Sequence, residues 1–260
     1  MVVSWSDTTA KIEWSRGCWP AAQPQWTSSV RAASFATWVA DDGSRALITD
    51  LSLGPYQTYL VKAGTSPVRL GTGQPASLSP NGSWALAVPV DGYPLMLHPT
   101  GPGESRTLPD PEHIVFNNAG WLDAGRVVGF GQKTGERSQG FIQDISGGPP
   151  RRFTPEGATV NVRTWWALPI SVDGTRVVAT DEHDAVMIYP VNGGTPQPVP
   201  NLKPGDVVVQ WASDGLGLLV AHRDGLSCAR RQLLLPVSDN YFCRRRVSKG
   251  SAAGDRSGTR

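Results

Sequence analysis

Five times in this chain an apolar stretch runs into a tight, glycine-closed turn and leaves it as a second apolar stretch. The turns are Ala40-Asp41-Asp42-Gly43, Ser79-Pro80-Asn81-Gly82, Leu122-Asp123-Ala124-Gly125, Ser171-Val172-Asp173-Gly174 and Ala212-Ser213-Asp214-Gly215. Their glycines fall 39, 43, 49 and 41 residues apart. Asp-Gly and Asn-Gly accept the positive φ of a tight hairpin, so each turn joins two antiparallel neighbours. A recurrence of about 40–45 residues is the length of one four-stranded propeller blade, a unit that can bury its apolar face only against the next copy. The expected fold is therefore all-β: a propeller of four-stranded antiparallel blades.

Each copy carries the same phrases. The strand after the turn is Arg45–Thr49, Trp84–Val88, Arg126–Phe130, Arg176–Thr180 and Leu218–Ala221 in turn. A third strand follows at Thr58–Val61, Leu95–His98, Gly140–Ile145 and Val186–Val191, and then a second glycine turn. A short polar strand closes the unit: Pro67–Leu70, Arg106–Leu108, Arg151–Thr154 and Pro196–Val199. Proline and arginine suit an outermost strand, where further pairing must be discouraged. This gives blades at about 31–70, 74–109, 114–155 and 162–200, and a partial fifth at 207–225. Residues 1–30 hold Trp5, Trp14, Trp19 and Trp26 but no blade pattern, and read as an irregular segment. Residues 226–260 carry eight basic and two acidic side chains, a net +6 that leaves −4 on the repeats, and read as a basic, disordered tail.

Composition agrees with many turns and short strands. Glycine (29) and proline (22) make up about a fifth of the 260 residues, and charged residues are only 18%. Three cysteines (Cys18, Cys228, Cys243) define no disulfide framework. No apolar run approaches the roughly 20 residues of a membrane-spanning helix, and no basic start precedes an apolar core. The chain as it stands reads as cytoplasmic; as part of a longer membrane-anchored protein it would read as periplasmic or extracytoplasmic.

Ser79-Pro80-Asn81-Gly82, Ser171-Val172-Asp173-Gly174, Gly147-Gly148 and Gly193-Gly194 resemble the signature turns of TolB-like propeller repeats, a WD-like branch. Over residues 33–225, phrases such as Tyr59-Leu60-Val61-Lys62 and Pro67-Val68-Arg69-Leu70 look most like propellers attached downstream of bacterial serine/threonine protein kinase domains. The resemblance implies closed rings, commonly of six or more blades. Four blades and a partial fifth then imply an incomplete ring, the product of a longer gene. The kinase's own Gly-rich loop, His-Arg-Asp loop and Asp-Phe-Gly are absent from the sequence.

No motif carries chemistry, so no catalytic, cofactor-binding or metal residue is assigned and no cofactor is expected. His98, His113, His183 and His222 are scattered, with no paired ligand spacing. Asp181-Glu182-His183-Asp184 lacks a calcium-loop spacing and reads as a solvated turn. Gly129-Phe130-Gly131-Gln132-Lys133-Thr134 lacks the phosphate-loop spacing and reads as a strand end and loop. Arg244-Arg245-Arg246 has no aromatic platform for nucleic acid, and Cys18 reads as an incidental thiol. Trp38, Trp84, Trp121, Trp165, Trp166 and Trp211 recur near strand ends and read as contacts between blades. The expected role is non-catalytic: a module that binds a protein or peptide through loops on one face, as the sensor portion of a bacterial signalling kinase. The rivals are a propeller hydrolase with a metal site in its central channel, and a truncated product with no function of its own.

Overall fold

The computed structural model describes residues 2–6, 9–13, 26–28, 34–40, 43–50, 54–62, 64–160, 168–203, 206–212, 214–222 and 231–236, with side chains between 37 and 220. Among the described residues every regular element is a strand, and none forms a helix long and apolar enough to cross a membrane. In chain order the strands are β1 (Val2–Ser6), β2 (Thr9–Glu13), β3 (Trp26–Ser28), β4 (Ser34–Val39), β5 (Arg45–Asp50), β6 (Gln57–Lys62) and β7 (Val68–Thr72). Then come β8 (Gln74–Leu78), β9 (Trp84–Val88), β10 (Met96–Pro99), β11 (Arg106–Thr107), β12 (Val115–Trp121), β13 (Arg126–Gln132), β14 (Gln139–Asp144) and β15 (Arg151–Arg152). The last are β16 (Arg176–Thr180), β17 (Val186–Pro190), β18 (Gln197–Pro198), β19 (Asp206–Trp211), β20 (Gly217–His222) and β21 (Arg231–Pro236).

These strands form six sheets, each an antiparallel run in chain order. The second, third and fourth sheets (β4–β7, β8–β11, β12–β15) have four strands; the first, fifth and sixth have three. In the fifth, the place of an inner strand is marked by the isolated bridges Thr159↔Thr180 and Ile170↔Val177. The inner strand carries a register irregularity in four sheets, between Ala36 and Trp38, Pro75 and Ser77, Phe116 and Asn118, and Val208 and Gln210. Such a bulge adds local twist to its sheet.

Two sequence expectations are corrected. The N-terminal segment read as irregular contains a three-stranded sheet, β1–β3. Its first hairpin pairs Val2↔Glu13 through Ser6↔Thr9 with no glycine between the strands, so it escaped a pattern built on glycine turns. Within the segment read as a tail, β21 pairs with β20 from Gly217↔Pro236 to His222↔Arg231. Its consecutive Leu233-Leu234-Leu235 has no period-two alternation to reveal it. The rest of 226–260, including Arg244-Arg245-Arg246, lies outside the described residues.

The cores lie between successive sheets. Leu47 and Leu60 of the second meet Leu78 and Ala85 of the third. Leu86 and Leu97 meet Phe116 and Trp121 of the fourth. Val128 and Phe130 meet Val177 and Tyr189 of the fifth, whose Val178 and Ile188 meet Trp211 and Val220 of the sixth. These side chains are buried, so the third, fourth and fifth sheets each bury apolar area on both faces, the main stabilising term for strands packed in this way.

Candidate interaction face

Because strands alternate in direction, the connections sort to two ends of the sheets. Hairpins from first to second and from third to fourth strands lie at one end. Loops from second to third strands, and the connections between sheets, lie at the other.

The hairpin end satisfies its own polar groups. In Ser79-Pro80-Asn81-Gly82, Ser79 Oγ–H donates to Asn81 Oδ1 (2.7 Å), which also accepts from the Ser83 N–H (3.0 Å). Ser79 Oγ in turn accepts from the Trp84 N–H (3.0 Å). The turn at Ser171 repeats this with Asp173 in place of Asn81: Ser171 Oγ–H to Asp173 Oδ1 at 2.5 Å, Thr175 N–H to Asp173 Oδ1 at 3.1 Å, Arg176 N–H to Ser171 Oγ at 2.9 Å. The Ser171 hydroxyl, with the Thr175 donors, pulls the Asp173 carboxyl down to about 2. Gly174 has φ +66°, and a Cβ there would strike the Leu122 carbonyl of the previous sheet. Leu122-Asp123-Ala124-Gly125 differs from its counterparts. Leu122 N–H bonds Arg126 O, one residue nearer than in the other turns, Gly125 has no positive φ, and Asp123 caps the turn by accepting from the Gly125 and Arg126 N–H groups (both 2.8 Å).

The opposite end presents side chains outward on loops stitched from sheet to sheet. The Phe116 N–H donates to Gly92 O (3.0 Å), tying the Pro89–Leu95 loop of the third sheet to the inner strand of the fourth. Gly92 makes this approach possible, since its φ is +87° and a Cβ would run into Val115. Tyr93 stacks on His113 with ring centroids 5.2 Å apart and planes 11° from parallel. Val90 and Val115 beside them are 64% and 36% exposed. The loops at this end also carry charged pairs: Lys133 with Glu112, the neighbour of His113, at 2.5 Å, Arg137 with Glu182 of the next sheet at 2.6 Å, and Arg152 with Glu136 at 2.8 Å.

His98 lies far from any such surface. It is 1% exposed, its Nε2–H donates to Thr72 O of the neighbouring sheet (2.8 Å), and Nδ1 accepts from Ser105 Oγ (2.7 Å). Burial holds this imidazole below the usual histidine range. It is a bridge between sheets. His183 sits in an exposed turn closed by Asp181 Oδ1, which accepts from the His183 and Ala185 N–H groups (2.9 Å each). Gly129 and Gly131 lie in β13, where a Cβ would hit Phe116 and the Val115 carbonyl, so these glycines permit close strand packing. The His222 side chain, Cys18, Cys228, Cys243, Trp165 and Trp166 lie outside the described residues. Among the described residues no three His, Cys, Asp or Glu side chains gather as a metal site would require. The Tyr93–His113 patch carried no sequence signal beyond the Asp91-Gly92 turn, because its members come from two different blades.

No protein family and no curated protein matches the sequence. Solved structures do. TolB from Acinetobacter baumannii superposes with a TM-score of 0.58 at 16% identity, over 87% of this chain and 56% of that one. The fold is a TolB-like β-propeller. An oligogalacturonate lyase from Vibrio parahaemolyticus follows at 0.54 and 16% identity, covering 70% of this chain and 57% of the lyase. A puromycin-hydrolyzing peptidase from Mycobacterium tuberculosis reaches 0.50 at 14% identity, over 81% of this chain and 39% of the peptidase. This propeller chain thus spans little over half the length of the first two. TolB, a lyase and a peptidase share this architecture, and at such identity the likeness extends to the fold alone.

Proposed function

We propose that this chain is a non-catalytic propeller module that binds a protein or peptide through the loops carrying Val90, Tyr93, His113 and Val115. The observation that carries this reading is the cross-sheet stitching of those loops, above all the hydrogen bond from Phe116 to Gly92. Loops already fixed in place cost little ordering entropy on binding, so exposed apolar area there converts efficiently into affinity. An exposed aromatic and aliphatic cluster is the composition of the anchoring part of a protein-binding patch. The repeats' resemblance to kinase-attached propellers supports a sharper form: the module is the sensing part of a signalling protein.

The test is affinity capture from cells of the source organism, comparing the wild-type chain with Val90→Asp and Tyr93→Ala. Val172→Asp, at the hairpin end, is the control. A partner kept by the control and lost by both loop variants supports the reading; a partner kept equally by all four proteins defeats it. For the signalling form, the check is whether a kinase domain is encoded in continuity with this gene.

A further inference from the structure

The outermost strands of this propeller are not alike. In the third and fourth sheets they are two residues long, Arg106–Thr107 and Arg151–Arg152, and in the fifth Gln197–Pro198 includes a proline. Short edges and prolines prevent strand addition. The outermost strand of the second sheet, β7, is five residues long without proline, and its Val68 is 55% exposed.

β7 is also held rigidly. Its C-terminal half is pinned to the third sheet by the His98 Nε2–H bond to Thr72 O (2.8 Å), and a Cβ on Gly71 would strike the same imidazole. Thr58 Oγ–H secures the next residue by donating to Gly73 O (2.7 Å). Its N-terminal half opens onto a cleft of about 260 Å³, with Val68, Arg69 and Leu70 as one wall and Pro99, Thr100 and Ser105 of the third sheet among the other. His98 ties the two walls together, since its Nδ1 accepts from Ser105 Oγ (2.7 Å).

Arg69 gives the cleft its chemistry. Its Nε–H donates to Gln57 Oε1 (2.7 Å), and Gln57 is buried and itself anchored through Nε2–H to Pro55 O (2.7 Å). The guanidinium is thus oriented through Nε, and among the described residues no carboxylate pairs with it. Glu104, in the turn across the cleft, does not line it.

We propose that the N-terminal half of the β7 edge, Val68–Leu70, takes an extended peptide by strand addition, and that the peptide alternates β-branched apolar residues with acidic ones. The backbone of Val68–Leu70 supplies hydrogen bonds, Val68 and Leu70 supply apolar contact, and the outer Nη–H groups of Arg69 donate to a carboxylate of the peptide. This site lies on the perimeter, away from the Tyr93–His113 loops, and is independent of that face.

The experiment is fluorescence anisotropy of the full chain with three labelled hexapeptides: Val-Glu repeated three times, Val-Lys repeated three times, and the Val-Glu peptide N-methylated at alternate residues. The expected result is saturable binding of the first alone. Arg69→Glu lowers that affinity by about tenfold or more, the loss of one charge-assisted interaction, and reverses the preference towards the lysine peptide. Arg69→Ala, which introduces no new charge, weakens the Val-Glu peptide without the reversal. Tyr93→Ala leaves binding unchanged, separating this site from the loop face. No saturable binding, equal binding to the Arg69 variants, or equal binding of the N-methylated peptide overturns the proposal.

Discussion

A turn in this protein is closed by one side-chain oxygen that collects a hydroxyl and a backbone N–H, and the chain offers both versions of it. Asn81 does this as a neutral amide and Asp173 as a carboxylate, with almost the same distances. The charged version couples folding to pH. The Asp173 carboxyl titrates at about 2 in the folded chain against an ordinary 3.8, so the folded state holds fewer protons in that interval. Its contribution is complete above pH 3.8 and is lost as pH falls towards about 2. Asp173→Asn should keep the turn, as Asn81 shows, while removing this dependence. Urea midpoints taken from pH 5 to pH 2 should therefore fall more steeply for wild type than for the variant, and parallel curves would contradict the account. At this scale the sequence was readable where a glycine must take positive φ, as at Gly82 and Gly174. It misled at Gly125, because a capping aspartate placed earlier in the turn makes a different hairpin from the same residue types.

Between sheets, single side chains act as ties, and tryptophan is the recurrent one. Trp121, at the end of β12, donates Nε1–H to Ser77 O of the preceding sheet at 3.3 Å; Trp211, at the end of β19, donates to Pro169 O at 3.1 Å. Both rings are buried. Trp84 differs, being half-buried under the Arg106 guanidinium (4.9 Å from the ring centre). Trp121→Phe keeps an aromatic filling but loses the buried hydrogen bond to Ser77 O and leaves some volume empty, and is expected to cost about 1–3 kcal/mol. Trp84→Phe should cost less than about 1 kcal/mol, since no buried hydrogen bond is lost. Denaturation followed by far-ultraviolet circular dichroism compares them, and equal losses would refute the tie. The second strands were legible nearly to the residue, with β9 and β16 matching the expected spans, because a glycine turn fixes one end and an apolar run the other. The tie was legible only as a recurrence of tryptophan. Its acceptor is a backbone carbonyl more than forty residues away, which no local pattern records.

A molecule whose cores lie between neighbouring sheets should respond to damage as a chain of nearest-neighbour contacts. Leu97 belongs to the core between the third and fourth sheets, Val220 to the core between the fifth and sixth, and the two cores share no residue. Phe116 and Phe141 share one core and meet edge to face, with ring centres 6.0 Å apart. Leu97→Ala and Val220→Ala, each costing about 2–4 kcal/mol, should then add in the double variant to within about 0.5 kcal/mol. Phe116→Leu and Phe141→Leu should not, because the first substitution already removes the contact that the second would lose, leaving a coupling of about 0.5–1.5 kcal/mol. Equilibrium unfolding of the two double-mutant cycles distinguishes the cases. Strong coupling between Leu97 and Val220 would mean that strain travels around the sheets as through a single core. The same nearest-neighbour order explains why the proposed face escaped the sequence: Tyr93 lies on a loop within the third sheet and His113 on the connection leading to the fourth, and only the folding of one onto the other makes them a single surface.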